Sequence, residues 1–208
     1  MITPDRLTWP EIRSKAEDLR KLVGLTTDSI PVDVTKIVEI HFNIQVIPVP
    51  NLLSEQDIDG FLTSDRSSIY IDELTYMNSR FNNRLRFTFG HELGHYILHE
   101  EFYNAQKFQD VNDWIKVRSE FDEDALNWFE QQAHEFAGRL LVPKPALLSL
   151  IKEYDSQVKQ FYHLSKDNTH EPVIRMIARL IANKFEVSEG VIVRRINSEN
   201  IWEELGYR

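Results

Sequence analysis

His91-Glu92-Leu93-Gly94-His95 forms an H-E-x-x-H motif, and it carries more information than any other part of the chain. On a helix, two histidines four residues apart project from one face, so both imidazoles can bind one metal ion. The glutamate lies one step around the helix and reaches a water molecule on that metal. The motif is typical of zinc peptidases and predicts one catalytic zinc ion per chain, held by His91 and His95.

Large apolar residues flank the motif on both sides, including Phe87 and Phe89 before it and Ile97 after it. They predict one buried helix from about Asn82 to Glu100. Polar groups buried in such a helix need partners, which a metal ion with its water supplies. The alternative is a solvated helix with two surface histidines, and the apolar flanks argue against it.

A catalytic zinc ion usually has three protein ligands and keeps a fourth position for water. The chain has no cysteine, so the third ligand has to be a histidine or a carboxylate. On a helix predicted from about Asp124 to Leu141, Glu130 lies mid-helix on the same side as the apolar residues, whereas Glu135 has a different azimuth. A carboxylate pointing into an apolar interface is costly unless it is paired or binds metal, which favours Glu130. His134 is a competing ligand or a group that supports the ligands.

His99 suggests a metzincin, in which a histidine ten residues after the first one completes the zinc site. In this chain that position is Glu101 and no glycine intervenes, so the metzincin interpretation fails. His99 either lines the site or lies at the helix C-terminus, where the dipole favours it. Hydrolysis also needs a donor to the developing oxyanion. The candidates are Arg86, Tyr96, His99 and Tyr103.

The periodicity of apolar residues predicts a mainly helical α+β fold. Three β-rich runs precede the motif helix, at Gln45 to Val49, Ile58 to Thr63 and Ser68 to Asp72. A turn at residues 64–67 joins the last two, which predicts a small antiparallel sheet. The run Ser68 to Asp72 is either an edge strand that pairs with a substrate peptide or an ordinary core strand.

Further helices are predicted on both sides of this core. Thr8 and Glu11 form a capping box for a helix from Pro10 to Val23, and a short helix follows Asp33. The polar stretch from Glu101 to Asp122 is predicted as a connector or a lid. Val173 to Phe185 and Val191 to Ile196 predict a C-terminal helical hairpin, which could resemble a helix-turn-helix unit. We therefore expect a core domain over residues 1–155 and a helical appendage over residues 156–208, with packing of the two as one unit as the alternative.

Composition restricts the classes of partner. The chain of 208 residues has a formal net charge of −9, which argues against direct nucleic-acid binding. The start of the chain lacks an apolar signal core, and no apolar run approaches membrane-spanning length. These features predict a cytoplasmic protein with no membrane partner.

Two segments carry a family resemblance. Residues 86–99, with Arg86-Phe87-Thr88 before the motif and His99 after it, resemble the R-F-T-x-A-H-E-L-G-H-x-x-L-H core of the ImmA/IrrE family of intracellular zinc metallopeptidases. Residues 130–143 are similar to that family's E-x-x-A-N-x-F-A-x-x-L-L-M-P segment. Phe185-Glu186-Val187-Ser188 resembles its C-terminal F-x-V-S unit more loosely.

The resemblance implies a gluzincin-like, zincin-type catalytic core with zinc on His91, His95 and Glu130 and with Glu92 as the catalytic base. It also implies a protein substrate, because known members often cleave a helix-turn-helix repressor and so release transcription. The chain departs from the family at His134, where Asn or Asp is usual, and this affects hydrogen bonding around the ligands.

The alternative function is a non-catalytic zinc-binding regulator, sensor or DNA-binding protein. Its recognition helix would be Ser188 to Ile196. Its phosphate contacts would be Arg175, Arg179, Arg194 and Arg195. The net charge and Glu92 argue against it, since a structural zinc site has four protein ligands and needs no base.

Overall fold

The computed structural model describes residues 4–164 and 170–207, and it confirms a mainly helical α+β fold. The first five helices are α1 Trp9–Leu22, α2 Val34–Lys36, α3 Leu52–Gln56, α4 Glu73–Met77 and α5 Asn82–Leu98. The next four are α6 Glu100–Ala105, α7 Val111–Ser119, α8 Glu123–Leu141 and α9 Lys144–Glu153. The last four are α10 Asp155–Leu164, α11 Glu171–Phe185, α12 Glu189–Ser198 and α13 Ile201–Glu204.

Local sequence signals explain several helix ends. The Glu11 carboxylate accepts a hydrogen bond of 2.7 Å from the Thr8 N–H, which forms the predicted capping box of α1. Gly24, just beyond α1, has a φ of 73°, a conformation that glycine adopts without strain. The predicted short helix after Asp33 is α2, which continues into a π-helical turn over Ile37–His41.

The sheet has three strands, β1 Gln45–Val49, β2 Gly60–Leu62 and β3 Ser68–Asp72, in the order β1-β3-β2. β2 and β3 form the predicted antiparallel hairpin, but β1 runs parallel to β3. The prediction of an antiparallel sheet is therefore wrong for one of its two pairings. The reason is topological: α3 reverses the chain after β1, β2 runs back along the outside, and the hairpin turn brings β3 between them.

The free edge of the sheet next to the motif helix is β2, so of the two alternatives for Ser68 to Asp72 the structure has the core strand. The Asp59 carbonyl accepts from the Asp72 N–H at 2.9 Å, and the Thr63 N–H donates to the Ser68 carbonyl at 2.9 Å. Because hydrogen-bonding direction alternates along an antiparallel strand, the main-chain groups of Gly60 and Leu62 point away from β3.

The stretch predicted as a connector or lid contains the helices α6 and α7 and adds to the core. Phe102 and Phe108 are buried, and the Phe102 ring lies 4.9 Å from the Phe129 ring of α8. Tyr103 and Trp114 are also buried, so these two helices bring aromatic side chains to the α5 and α8 layer.

α11 and α12 form the predicted C-terminal hairpin, and a buried ion cluster connects α12 with α8. Arg195 lies 2.7 Å from Glu199 and 3.5 Å from Glu135, and Arg139 pairs with both glutamates. The domain boundary at residue 155 stays a prediction, and its two ranges include residues 1–3, 165–169 and 208, which lie outside the described residues. Within residues 4–164 and 170–207, no helix is long and apolar enough to cross a membrane.

α5 and α8 pack closely because small residues face each other. A Cβ atom placed on Gly94 would lie 3.0 Å from both the Cα and the carbonyl oxygen of Ala133. A Cβ atom on Gly90 would lie 3.3 Å from the Ala137 Cβ. The two helices therefore lie close together because positions 90 and 94 carry no side chain, and side chains there would prevent this approach.

This packing predicts that Gly94→Ala destabilises the fold. The added methyl meets backbone atoms that cannot move cheaply, so we expect the free energy of unfolding to fall by about 1–3 kcal/mol in urea denaturation. The matched control is Gly190→Ala, because a Cβ atom there meets only the Ser188 Oγ at 3.8 Å. Because alanine has a higher helix propensity than glycine, Gly190→Ala should leave the free energy of unfolding unchanged or raise it by up to about 1 kcal/mol. Equal stability of the two variants would contradict the close contact.

Candidate metal centre

Three donor atoms from α5 and α8 converge on one point. The Nε2 atoms of His91 and His95 lie 3.0 Å apart, since the two histidines are one turn apart on α5. From α8, the Glu130 Oε2 lies 3.0 Å from the His91 Nε2 and 3.7 Å from the His95 Nε2. The structure thus brings together the three residues predicted as ligands.

These distances fit a tetrahedral metal ion. Ligands bound at about 2.0–2.1 Å in a tetrahedron lie about 3.3 Å from one another, close to the three observed separations. The two Nε2 atoms face each other and can share at most one hydrogen, so protein groups alone leave this buried cluster poorly satisfied. A cation at the common point would satisfy all three donors.

His134 also lies close to this cluster. The potential ligand atoms of His91, Glu130 and His134 lie within 4.8 Å of one another, so these three residues are a second combination that could hold a metal ion. The His134 Nδ1 lies 2.9 Å from the Glu130 backbone oxygen, to which it can only donate. In the neutral His134 ring, that bond leaves the Nε2 atom without a hydrogen. The centroid of this ring lies 4.5 Å from that of the His91 ring.

A hydrogen-bonded chain lies behind His95. The His95 Nδ1 and His99 Nδ1 are 3.0 Å apart, and the His99 Nε2 lies 3.4 Å from the Gln132 Nε2. The Gln132 side chain also accepts from the Leu7 N–H at 2.8 Å and donates to the Asp5 carbonyl at 3.2 Å. His99 therefore holds the orientation of the His95 ring. The buried His91 Nδ1, by contrast, has no hydrogen-bond partner among the described residues.

The charge states of the three donors are coupled. Burial opposes ionisation of Glu130, but hydrogen bonds from His91 and His95 outweigh it and hold the Glu130 pKa well below its usual value. Burial lowers the pKa of His95 to about 4. Burial also lowers the pKa of His91, but its hydrogen bond to Glu130 outweighs this and raises the pKa overall. Glu130 is thus anionic and His95 neutral, the forms that bind metal, and a cation would displace the proton that His91 shares with Glu130.

Glu92 is almost fully buried beside the donor cluster, with a relative exposure of 3%. Burial raises its pKa to about 7, while the neighbouring His91 and the hydrogen bond from the Leu62 main chain on β2 act in the opposite direction. Its carboxyl group can therefore take up and release a proton near neutral pH.

An open cavity of about 290 Å³ gives access to the donors. We call it the metal cavity. β2 and the residues before it line one side, and Tyr103, Trp114 and Arg118 line another. Burial raises the pKa of Tyr103 well above its usual value, so its phenol keeps a proton to donate.

The structure separates the other predicted site residues. His99 lies behind His95, as described above, whereas Arg86 and Tyr96 do not line the metal cavity. The Arg86 Nη2 donates to the Val32 carbonyl at 2.7 Å, and the Tyr96 ring packs 4.8 Å from the Phe42 ring. Both side chains therefore make structural contacts, and they lie outside the cavity in which an oxyanion would form.

Several residues that line the metal cavity were not predicted. They are Asp57, Ile58, Asp59, Gly60, Phe61, Phe87, Thr88, Trp114 and Arg118. Most come from loops and from β2, where neither periodicity nor a motif indicates which side chains face the site.

Comparisons with known proteins agree with this geometry. Residues 41–197 match the Peptidase M78 family, described as the IrrE N-terminal-like domain. A solved Mycobacterium tuberculosis transcriptional regulator has a similar fold, with a TM-score of 0.54 and 12% sequence identity. The alignment covers 90% of this chain and 46% of the regulator, so the chain spans about half of that protein's length. No curated protein matches the sequence.

Proposed function

Because the chain belongs to the Peptidase M78 family, we propose that it is a zinc-dependent endopeptidase. Membership confirms the family resemblance drawn from the two motif segments. The observation that carries the proposal is the meeting of three metal donors from α5 and α8 beside a buried glutamate, at the floor of an open cavity.

We propose His91, His95 and Glu130 as the metal ligands and zinc as the metal. Two imidazoles and a carboxylate form the ligand set of many catalytic zinc sites, and the chain has no thiolate to offer. The cavity beside the donors leaves room for water and substrate. We assign His134 a supporting role because the trio with His95 already has donor separations of 3.0, 3.0 and 3.7 Å, close to those of a tetrahedral site.

We propose Glu92 as the general base. Bound zinc would polarise the scissile carbonyl and lower the pKa of the attacking water. Glu92 takes a proton from that water and delivers it to the leaving amine, a role for which a carboxyl group with a pKa of about 7 is well matched. Tyr103, which remains protonated, is the best-placed donor to the developing oxyanion.

The free edge of β2 is the proposed binding site for the substrate main chain. The outward-facing groups of Gly60 can pair with an extended peptide, and Gly60 lines the metal cavity. A peptide in that position lies across the α5 donors, which places a carbonyl group near Glu92.

The ligand assignment predicts different effects for two substitutions on one helix. Glu130→Ala removes a ligand, so zinc affinity should fall more than about 100-fold in a chelator competition. His134→Asn should cost at most about 10–100-fold, the usual range for residues that support ligands. Circular dichroism shows whether each variant folds. If only the His134 variant lost its zinc, His134 and not Glu130 would be the third ligand.

The role of Glu92 predicts a variant that binds metal but lacks activity. Glu92→Gln cannot accept a proton, so cleavage of a verified substrate should fall by about 10²–10⁴-fold while zinc content stays near one ion per chain. Glu101→Gln, an exposed glutamate on α6, is the matched control and should keep full activity. Undiminished cleavage by the Glu92 variant would exclude it as the base.

We propose that the substrate is a folded helix-turn-helix repressor. The support is the family resemblance of the two motif segments. A cytoplasmic protease has to spare other proteins, so its specificity should come from docking a particular partner rather than from a permissive cleft. The cytoplasmic location stays a prediction from the sequence.

This proposal predicts little digestion of casein and cleavage at one site in a repressor encoded next to this gene. Intact mass measurement of the co-expressed repressor detects the fragments, with the Glu92→Gln variant as the inactive control. Rapid, unselective casein digestion, or an intact repressor under every inducing condition, would contradict the substrate assignment.

The alternative of a DNA-binding regulator has less support. Arg195, one of its four proposed phosphate contacts, is buried in the ion cluster with a relative exposure of 2%. Arg175 pairs with Glu171 at 2.8 Å and Arg179 with Glu189 at 3.4 Å. Three of the four proposed phosphate contacts on α11 and α12 are therefore compensated by carboxylates.

A further inference from the structure

A second cavity of about 490 Å³ adjoins the metal cavity. We call it the side pocket. It lies between α5, α8 and the start of α12, and Phe87 and His134 line both cavities. The two rings, 5.6 Å apart, form the shared boundary. A peptide bound over the metal donors would therefore have the side pocket next to its scissile bond.

The side pocket has room because glycines form part of its wall. Gly138 and Gly190 line it, together with Phe87 and Val191. A Cβ atom on Gly138 would lie 3.0 Å from the Arg195 Cδ, so that wall is backbone against the stem of an arginine. A cavity of this size and concavity is within the range that binds small organic groups.

Four charged residues line the side pocket, and three of them, Arg84, Glu135 and Arg195, are paired with opposite charges. Glu135 pairs with Arg139 at 2.6 Å and with Arg195 at 3.5 Å, and Arg195 also pairs with Glu199 at 2.7 Å. These charges are used within the protein, and among the described residues Arg194 alone lines the side pocket without an ion pair. The apolar parts of the wall remain to contact a ligand. Such a wall favours a large apolar group over a charged one.

We propose that the side pocket binds a large apolar side chain, such as that of leucine or phenylalanine, from a substrate residue that flanks the scissile bond. The inference rests on the proposed peptidase function and adds a specificity element to it. It also gives α12 a role in substrate binding, through Gly190 and Val191.

The test uses hydroxamates, which bind zinc through a small chelating group. Acetohydroxamate measures the metal anchor alone. Two series then carry hydrogen, isobutyl or benzyl next to the chelating group, one as succinyl hydroxamates and one as N-acetyl amino-acid hydroxamates, so that both directions of the peptide are sampled. In at least one series, isobutyl or benzyl should raise the affinity about 10–100-fold over hydrogen, as expected for burial of such a group.

Filling the side pocket should remove this gain. Val191→Trp and Gly190→Leu both add bulk at its wall, and Gly190 has open space for a side chain. The matched control is Val193→Trp, which changes the same residue type on the same helix outside the side pocket. Acetohydroxamate should bind the wild type and all three variants equally. The gain in affinity from benzyl should persist in the wild type and in the Val193→Trp control, and it should disappear in the two filling variants.

The outcomes separate the two proposals. Failure of acetohydroxamate to bind the zinc-loaded protein would contradict the metal site. Binding of acetohydroxamate with less than about a 3-fold gain in both series would overturn the side pocket, and so would a gain that survives in both filling variants. A measurement that needs no metal is the shift of the Val191 methyl NMR signals on titration with N-acetylphenylalaninamide. An unchanged spectrum at millimolar ligand would also overturn the proposal.

Discussion

The close contact between Gly94 of α5 and Ala133 of α8 is the constraint on which the site depends. α5 supplies two imidazoles and α8 supplies the carboxylate, so the separation of the two helices sets the distances among the three donors. With a Cβ atom 3.0 Å from the Ala133 backbone, even alanine at position 94 would push the helices apart. A shift of that kind would increase the 3.0 Å and 3.7 Å distances between Glu130 and the two imidazoles. The packing of small residues and the spacing of the three donors are thus parts of one arrangement.

The site places an unusual concentration of ionisable groups in the interior. Glu92, His91, His95 and His99 are all buried. Such groups are costly unless they have partners, and here each compensates another: Glu130 for the imidazoles, His99 for His95 and the β2 main chain for Glu92. The ion cluster around Glu199 has the same character but a different role, because it joins α12 to α8 and so shapes the wall of the side pocket. Both clusters use α8, which carries Glu130, then His134 and Glu135, then Arg139 on three successive turns.

Much of this arrangement could be predicted from local patterns. The H-E-x-x-H spacing places two imidazoles on one helical face, and the amphipathic pattern of α8 places Glu130 on its buried side, where the structure has it. The hairpin of β2 and β3 and the capping box of α1 are also local features, and both were predicted correctly. Each of these depends on residues only a few positions apart.

The rest depends on contacts between distant segments. The parallel pairing of β1 with β3 follows from the path of the chain through α3, which no local period shows. Arg86 and Tyr96 are adjacent to the motif in sequence, but their azimuths on α5 direct them to Val32 and Phe42. Trp114 and Arg118 reach the metal cavity because α7 packs beside it, and the polar sequence between Glu101 and Asp122 gives no sign of that packing.

We propose that α5 and α8 together hold one catalytic zinc ion with an open coordination position. The decisive measurement is a crystal structure of the zinc-loaded protein, with anomalous data collected at the zinc edge. We expect one anomalous peak about 2.0–2.2 Å from the Nε2 atoms of His91 and His95 and from a Glu130 oxygen, with water as the fourth ligand. A zinc ion whose fourth ligand is His134, or a peak away from these residues, would contradict it.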